Sequence, residues 1–124
     1  MDRRIFHIKD QFSQNLGHSW SVEKMAGLVG LSQSRFIRLF KKEMGISPMS
    51  YLLTTRMTKI RALLSDPECF LQIKEIVFQV GITNYSHFTR DFKKKYGMTP
   101  TEFRLEHSEI HQAGSTEGRS DDFR

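Results

Sequence analysis

The chain has 124 residues, a formal net charge of +5, a hydrophobic content of 38% that includes ten phenylalanines, and one cysteine. That length suits one compact domain, or two small ones sharing an element, with enough aromatic mass for a real core. The lone Cys69 excludes an intrachain disulfide and a cysteine-based zinc site and fits a reducing cytosol, no apolar run reaches the ~18 residues of a membrane span, and the basic balance points to a polyanionic partner.

Ile5, Ile8, Phe12 and Leu16 recur at helical spacing, which predicts a helix over 3–16 stopped by Gly17; Phe6, Phe12 and Trp20 read as core. Ser21 can cap a helix over 22–29 with Glu23 favourably placed in its first turn. Ala26, followed four residues later by Gly30, allows close helix contact and then the tight turn of a helix-turn-helix. The next helix is expected over 33–44, ended by Gly45. Ser47-Pro48 then opens a long helix, with Ser as N-cap and Pro at the first helical position, running to Leu64-Ser65 before Asp66-Pro67 stops it. At ~1.5 Å per residue it is a rod of roughly 26 Å, long enough to set the separation between two modules. A short helix over 73–80 follows, poorly capped by Gln72, and then a helix over 84–96 closed by Gly97. Thr99-Pro100-Thr101-Glu102 is a capping box for a last helix to about His107. Residues 108–124 are polar, carry Gly114 and Gly118, are net acidic, and read as a disordered tail. The N-terminus lacks the apolar core of a signal peptide. With no strand alternation anywhere, the expected fold is all-α: about seven helices in a bipartite domain over 1–107, with helix-turn-helix units over 1–47 and 66–107 joined by a linker helix over 48–65.

One stretch is written twice. LSQSRFIRLFKKEMGISP over 31–48 and TNYSHFTRDFKKKYGMTP over 83–100 match at an offset of 52 through Ser34/Ser86, Phe36/Phe88, Arg38/Arg90, Phe40/Phe92, Lys41/Lys93, Lys42/Lys94, Gly45/Gly97, Ser47/Thr99 and Pro48/Pro100. Val29-Gly30-Leu31 matches Val80-Gly81-Ile82 at an offset of 51, so one extra residue follows the second glycine. A basic helical unit repeated once suits duplex DNA, whose major groove returns every ~34 Å.

Stepping about 100° per residue from Phe36 groups Phe40, Leu39 and Glu43 on its side and turns Ile37, Lys41, Ser34 and Arg38 away. In the second copy Phe88 and Phe92 are buried, and Thr89, Lys93, Ser86 and Arg90 face out at the same angles. Arg38 and Arg90 can each make a bidentate contact to a guanine edge, worth ~1–3 kcal/mol of discrimination. Ile37 and the Thr89 methyl could touch a thymine methyl, and Ser34 and Ser86 are short hydrogen-bonding groups. Lys41, Lys42, Lys93 and Lys94 would add sequence-blind, salt-sensitive affinity through phosphates.

These motifs, in order, resemble the DNA-binding domain of the AraC/XylS family of bacterial transcription regulators over residues 3–107. The first unit reads Met25-Ala26-x2-Val29-Gly30-Leu31-Ser32, Phe36-x3-Phe40-Lys41-Lys42 and Gly45-x-Ser47-Pro48. The linker reads Tyr51-Leu52-x3-Arg56-Met57-x5-Leu63-Leu64. The second unit reads Ile76-x3-Val80-Gly81-Ile82-x-Asn84-Tyr85-Ser86-x-Phe88-x3-Phe92-Lys93-Lys94-x2-Gly97-x-Thr99-Pro100, then Phe103-Arg104. The resemblance implies two recognition helices entering adjacent major grooves of double-stranded DNA, activation through a contact with RNA polymerase, and a bacterial cytoplasmic protein. Carried over by position, the base-facing residues would be Gln33, Ser34, Ile37 and Arg38, then Tyr85, Ser86, His87, Thr89 and Arg90. The sequence departs from the family pattern at Val77, Ile82 and Ile60; Val77 is expected to crowd the second inter-helix contact.

Other chemistry is thinly signalled. His107 and His111 are four apart, but they lie where a polar tail is expected. There is no Gly-rich phosphate loop, no HExxH and no Gly-x-Ser-x-Gly elbow, so the chain reads as a non-enzyme without cofactor or metal, monomeric and away from membranes. The competing reading is a helical protein-interaction module. Many family members carry a separate effector-binding or dimerisation domain; no segment here is suited to form one, which leaves a stand-alone regulator and a fragment of a larger one both open.

Overall fold

The computed structural model describes residues 1–115, with side chains through residue 107. Seven helices make up these residues: α1 (Arg3–Gln14), α2 (Val22–Leu28), α3 (Gln33–Met44), α4 (Pro48–Ser65), α5 (Ile73–Gln79), α6 (Tyr85–Tyr96) and α7 (Pro100–Ser115). No strand occurs among the described residues, and none of the described helices is long and apolar enough to cross a membrane. By packing, the chain divides into two units, Met1–Thr58 and Lys59–Arg124, so the division falls inside α4.

In the first unit Ile5, Ile8 and Phe12 of α1, Met25 and Ala26 of α2, Phe36 and Phe40 of α3 and Leu52 of α4 form one buried cluster. Aromatic rings fix its geometry: Phe36 lies 5.8 Å from Phe40, and Phe40 meets the Tyr51 ring edge-on at 5.6 Å. Helix starts follow from local chemistry. Asp2 accepts the Arg4 N–H at 2.8 Å, and Ser21 and Ser32 accept from Lys24 and Arg35 at 3.1 and 3.2 Å. Arg56, buried, donates from Nε to the Leu16 carbonyl at 3.1 Å and from Nη2 to the His18 carbonyl at 2.8 Å. Burial lowers its pKa, yet a guanidinium stays charged, and these two carbonyls accept from two of its five N–H groups.

The second unit buries Ile60 and Leu64 of α4, Ile76, Val77 and Val80 around α5, Phe88 and Phe92 of α6, and Phe103 of α7. Phe88 and Phe92 lie 5.7 Å apart, and Phe103 meets Phe92 edge-on at 5.6 Å. Arg104 donates to the Leu71 and Cys69 carbonyls at 2.7 and 2.8 Å, gripping the loop before α5 as Arg56 grips the loop before α2.

Several expectations change. Helix α1 ends at Gln14, not near Gly17, because the chain leaves the helix at Asn15 and turns the Leu16 and His18 carbonyls toward Arg56. Leu16 still packs on the core from outside the helix. Phe6 is 63% exposed: it sits about 100° from Ile5 around α1, off the Ile5–Ile8–Phe12 stripe. Gln72 is a better helix start than its residue type suggests, since its N–H is received by the Glu75 carboxylate at 2.7 Å. Helix α7 passes His107 and continues to Ser115, as no Gly or Pro interrupts residues 108–113. The rest of the expected tail, residues 116–124, lies outside the described residues, as does the side chain of His111. The His107 ring stacks on Phe103 with centroids 4.0 Å apart, and its Nδ1 is 2.9 Å from the Phe103 carbonyl. No cluster of metal-ligating side chains occurs among the described residues.

Candidate nucleic-acid interface

Each unit contains a helix, a four- or five-residue turn and a second helix with a basic end. The turns share one hydrogen-bond scheme. In the first, Gly30 at φ 70° donates to the Gly27 carbonyl at 3.3 Å and Leu31 donates to the Ala26 carbonyl at 3.0 Å. In the second, Gly81 at φ 97° donates to Phe78 at 3.0 Å and Ile82 to Val77 at 3.2 Å. This is the Schellman arrangement, which needs a left-handed residue after the helix and therefore favours glycine. Val77, buried, takes the place of Ala26 without loss of either hydrogen bond. The extra residue of the second turn lies between Ile82 and the cap, and Asn84 then accepts the His87 N–H at 2.9 Å where Ser32 caps α3.

Helix α3 buries Phe36 and Phe40 and leaves Gln33, Ser34, Ile37, Arg38, Lys41 and Lys42 exposed. Helix α6 buries Phe88 and Phe92 and leaves Ser86, His87, Arg90, Lys93 and Lys94 exposed. Two residues expected on the outer face of α6 are half-buried. The Tyr85 ring packs 6.1 Å from Phe88 with Lys74 Nζ 5.7 Å from its centroid, and the Thr89 hydroxyl donates to the Tyr85 carbonyl at 2.9 Å. Both therefore present less surface than their neighbours on that face. His87 Nε2 lies 3.6 Å from the Asp91 carboxylate one turn on.

Both helices end in the same way. Gly45 and Gly97 adopt φ 82° and 81° and donate to the Lys41 and Lys93 carbonyls, each at 2.8 Å. The lysines of each last turn, Lys41 and Lys42 or Lys93 to Lys95, stand where the helix dipole favours cations. Their charge remains at the surface, available to an anion.

Two charged residues beside the expected site were not legible as part of it in the sequence: Arg35, exposed on α3, and half-buried Asp91 on α6. Nor were the roles of Arg56 and Arg104 legible. Both arginines stood in the motifs, but their carbonyl partners lie 33 to 40 residues away along the chain, beyond any periodicity signal.

Residues 25–106 match the helix-turn-helix domain family. The arabinose operon regulatory protein of Escherichia coli (strain K12) is 33% identical over 105 residues, covering 84% of this chain and 35% of that protein. The C-terminal domain of the two-component response regulator yesN from Fusobacterium nucleatum superposes with a TM-score of 0.74 at 30% identity, covering 83% of this chain and 99% of that one. The DNA-binding domain of AdpA, solved in complex with a target DNA, has a TM-score of 0.79 at 20% identity over 94% of this chain and 100% of that one, a likeness of fold. The chain spans about a third of the length of the curated relatives it matches. On the strength of its helix-turn-helix match and these relatives, the chain belongs to the AraC/XylS family.

Proposed function

We propose that this chain reads a specific double-stranded DNA sequence and regulates transcription, as an activator in a bacterial cytoplasm, by placing α3 and α6 in adjacent major grooves. The observation that carries the reading is the matched pair of exposed faces. Ser34, Arg38 and Lys41 on α3 and Ser86, Arg90 and Lys93 on α6 stand at equal offsets, each behind a glycine turn and a buried Phe pair. A helix that only needed a polar outer side would have no reason to repeat the order.

Roles divide by reach. Arg38 and Arg90 carry base discrimination, with Gln33, Ser34 and Ile37 beside the first and Ser86, His87 and Thr89 beside the second. Tyr85, half-buried beside Phe88, contributes what remains accessible of its side chain. Lys41, Lys42, Lys93 and Lys94 engage phosphates without regard to sequence. RNA polymerase is the protein partner of an activator, and the chain acts as a monomer.

Selection of bound duplexes from a random pool at moderate salt tests this. The expected site has two half-elements about one helical turn, ~34 Å, apart. Absence of any enriched sequence would favour the protein-interaction reading.

A further inference from the structure

Helices α3 and α6 contain the same balance of charged residues, four cations and one carboxylate each, but the carboxylates are in different places. In α3 the acid is Glu43, which is half-buried and accepts the backbone N–H of Asp2 at 3.0 Å. That contact ties it to the start of α1. The flank of α3 that Glu43 leaves clear holds Arg35, Arg38 and Lys42, which with half-buried Leu39 line a shallow, open groove of about 320 Å³. No carboxylate lines this groove.

At the corresponding positions α6 has His87, Arg90, Asp91 and Lys94, with Lys95 in the place of Glu43. Asp91 therefore replaces Leu39, and the acid stands one turn earlier in α6 than Glu43 does in α3, among the positions that match the groove rather than beside them. Its carboxylate lies 3.6 Å from His87 Nε2 in the midst of the residues that match the α3 groove.

Three cations along one open groove without a carboxylate suit one anionic oxygen group. Arginine presents a planar fork to such oxygens and lysine a point charge. A fixed carboxylate in the same place repels the anion and draws the neighbouring cations to itself. We infer that the Arg35–Arg38–Lys42 groove is a site for a backbone phosphodiester of the duplex, and that Asp91 closes the matching site in the second unit. The first unit is then the electrostatic anchor, and the second binds with less sequence-blind grip. This inference rests on the DNA-binding reading above. Arg38 borders both the base-facing side and the groove, so Arg35 and Asp91 are the positions that test it.

The experiment is duplex affinity of the full chain across a salt series, for the wild type, Arg35→Ala and Asp91→Leu, with helicity measured for each. Arg35→Ala should lower affinity about 5- to 10-fold at ~0.1 M salt on selected and unrelated duplexes alike, and reduce the slope of log affinity against log salt by about one. Asp91→Leu should raise affinity on both duplexes and steepen the slope, and His87→Arg added to it should steepen the slope further by about one. A wild-type slope retained in Arg35→Ala, or an unchanged affinity and slope in Asp91→Leu, would overturn the inference while leaving the DNA-binding reading intact. A wild-type chain with no salt-dependent duplex binding would overturn both.

Discussion

Residues 26–48 and 77–100 build the same turn, helix and exit from different side chains, and the two sets of choices can be compared position by position. Ala26 and Val77 occupy the same place in the turn, Ser32 and Asn84 the same cap, and Ser50 and Glu102 the same point in the first turn of the following helix. What does not vary is the left-handed glycine, the buried Phe pair, the arginine three residues before the first lysine of the last turn, and the proline that opens the next helix. The invariant set fixes backbone course and outer face. The variable set only has to satisfy the same N–H groups or fill the same volume, and more than one residue does that.

The sharpest way to break the comparison is through the cores. Phe40→Ala and Phe92→Ala each remove a fully buried ring and should each cost about 3–5 kcal/mol. Residue-resolved hydrogen exchange should show the first loosening α1 to α3 and the second α5 to α7. Identical protection loss throughout both units in either variant would mean that the units do not unfold separately.

Next come the arginine grips. Arg56→Met removes a buried donor and leaves the Leu16 and His18 carbonyls without their partners in a part-buried setting; it should cost about 2–3 kcal/mol, measured by denaturant unfolding. Arg104→Met acts on a more exposed site and should cost about 1 kcal/mol. A larger loss from Arg104→Met would reverse the order argued from burial. Below these stand the caps: Ser32→Ala and Asn84→Ala should each cost about 1 kcal/mol, as read from the same unfolding curves.

The smallest effect is acidic. In the second unit Thr99 and Glu102 form a reciprocal capping box, Glu102 N–H donating to the Thr99 hydroxyl at 3.1 Å and Thr99 N–H to the Glu102 carboxylate at 2.9 Å. In the first, Ser47 and Ser50 share hydroxyls at 2.9 Å and no carboxylate takes part. The Thr99 backbone N–H holds the Glu102 carboxyl below its ordinary range. The Arg4 side chain and then its backbone N–H hold Asp2, at the start of α1, down to about 2. Folding favours the ionised form in both cases. Their stabilisation is therefore complete above the ordinary carboxyl range near ~4 and is lost as pH falls below it, for Asp2 toward about 2. Amide shifts followed by NMR on acidification should show the starts of α7 and α1 changing while the start of α4 does not. Movement at Ser50 equal to that at Glu102 would contradict the assignment.

Much of this architecture was legible in the sequence because it is carried by short-range signals. Ser21, Ser47-Pro48, Thr99-Pro100-Thr101-Glu102, Gly45 and Gly97 each mark a helix end through chemistry that acts within four residues. The phenylalanine pairs and basic helix ends were legible because the duplication prints them twice. The misses have a common cause. Leu16 follows the α1 stripe in sequence, but a buried guanidinium forty residues on draws its carbonyl out of the helix. Thr89 matches Ile37 on a helical wheel, yet its hydroxyl turns back to the Tyr85 carbonyl and lowers its exposure. Asp91 and Glu43 are each the single acid of a basic helix, and only their partners separate them: His87 one turn away for Asp91, and the Asp2 N–H before α1 for Glu43. Hydrogen-bond and charge partners decide these positions, about forty residues away for Leu16 and Glu43 and one turn away for Thr89 and Asp91.

The central claim is that Arg38 and Arg90 read bases in two separate half-sites. The most direct test is selection of bound duplexes from a random pool by the wild type, Arg38→Ala and Arg90→Ala in parallel. The account predicts that each variant loses preference, by about 10- to 100-fold at the contacted base pair, in one half-site only and that the two half-sites differ. Equal weakening on every sequence with the wild-type motif unchanged, or relaxation of the same base pair by both variants, would contradict it.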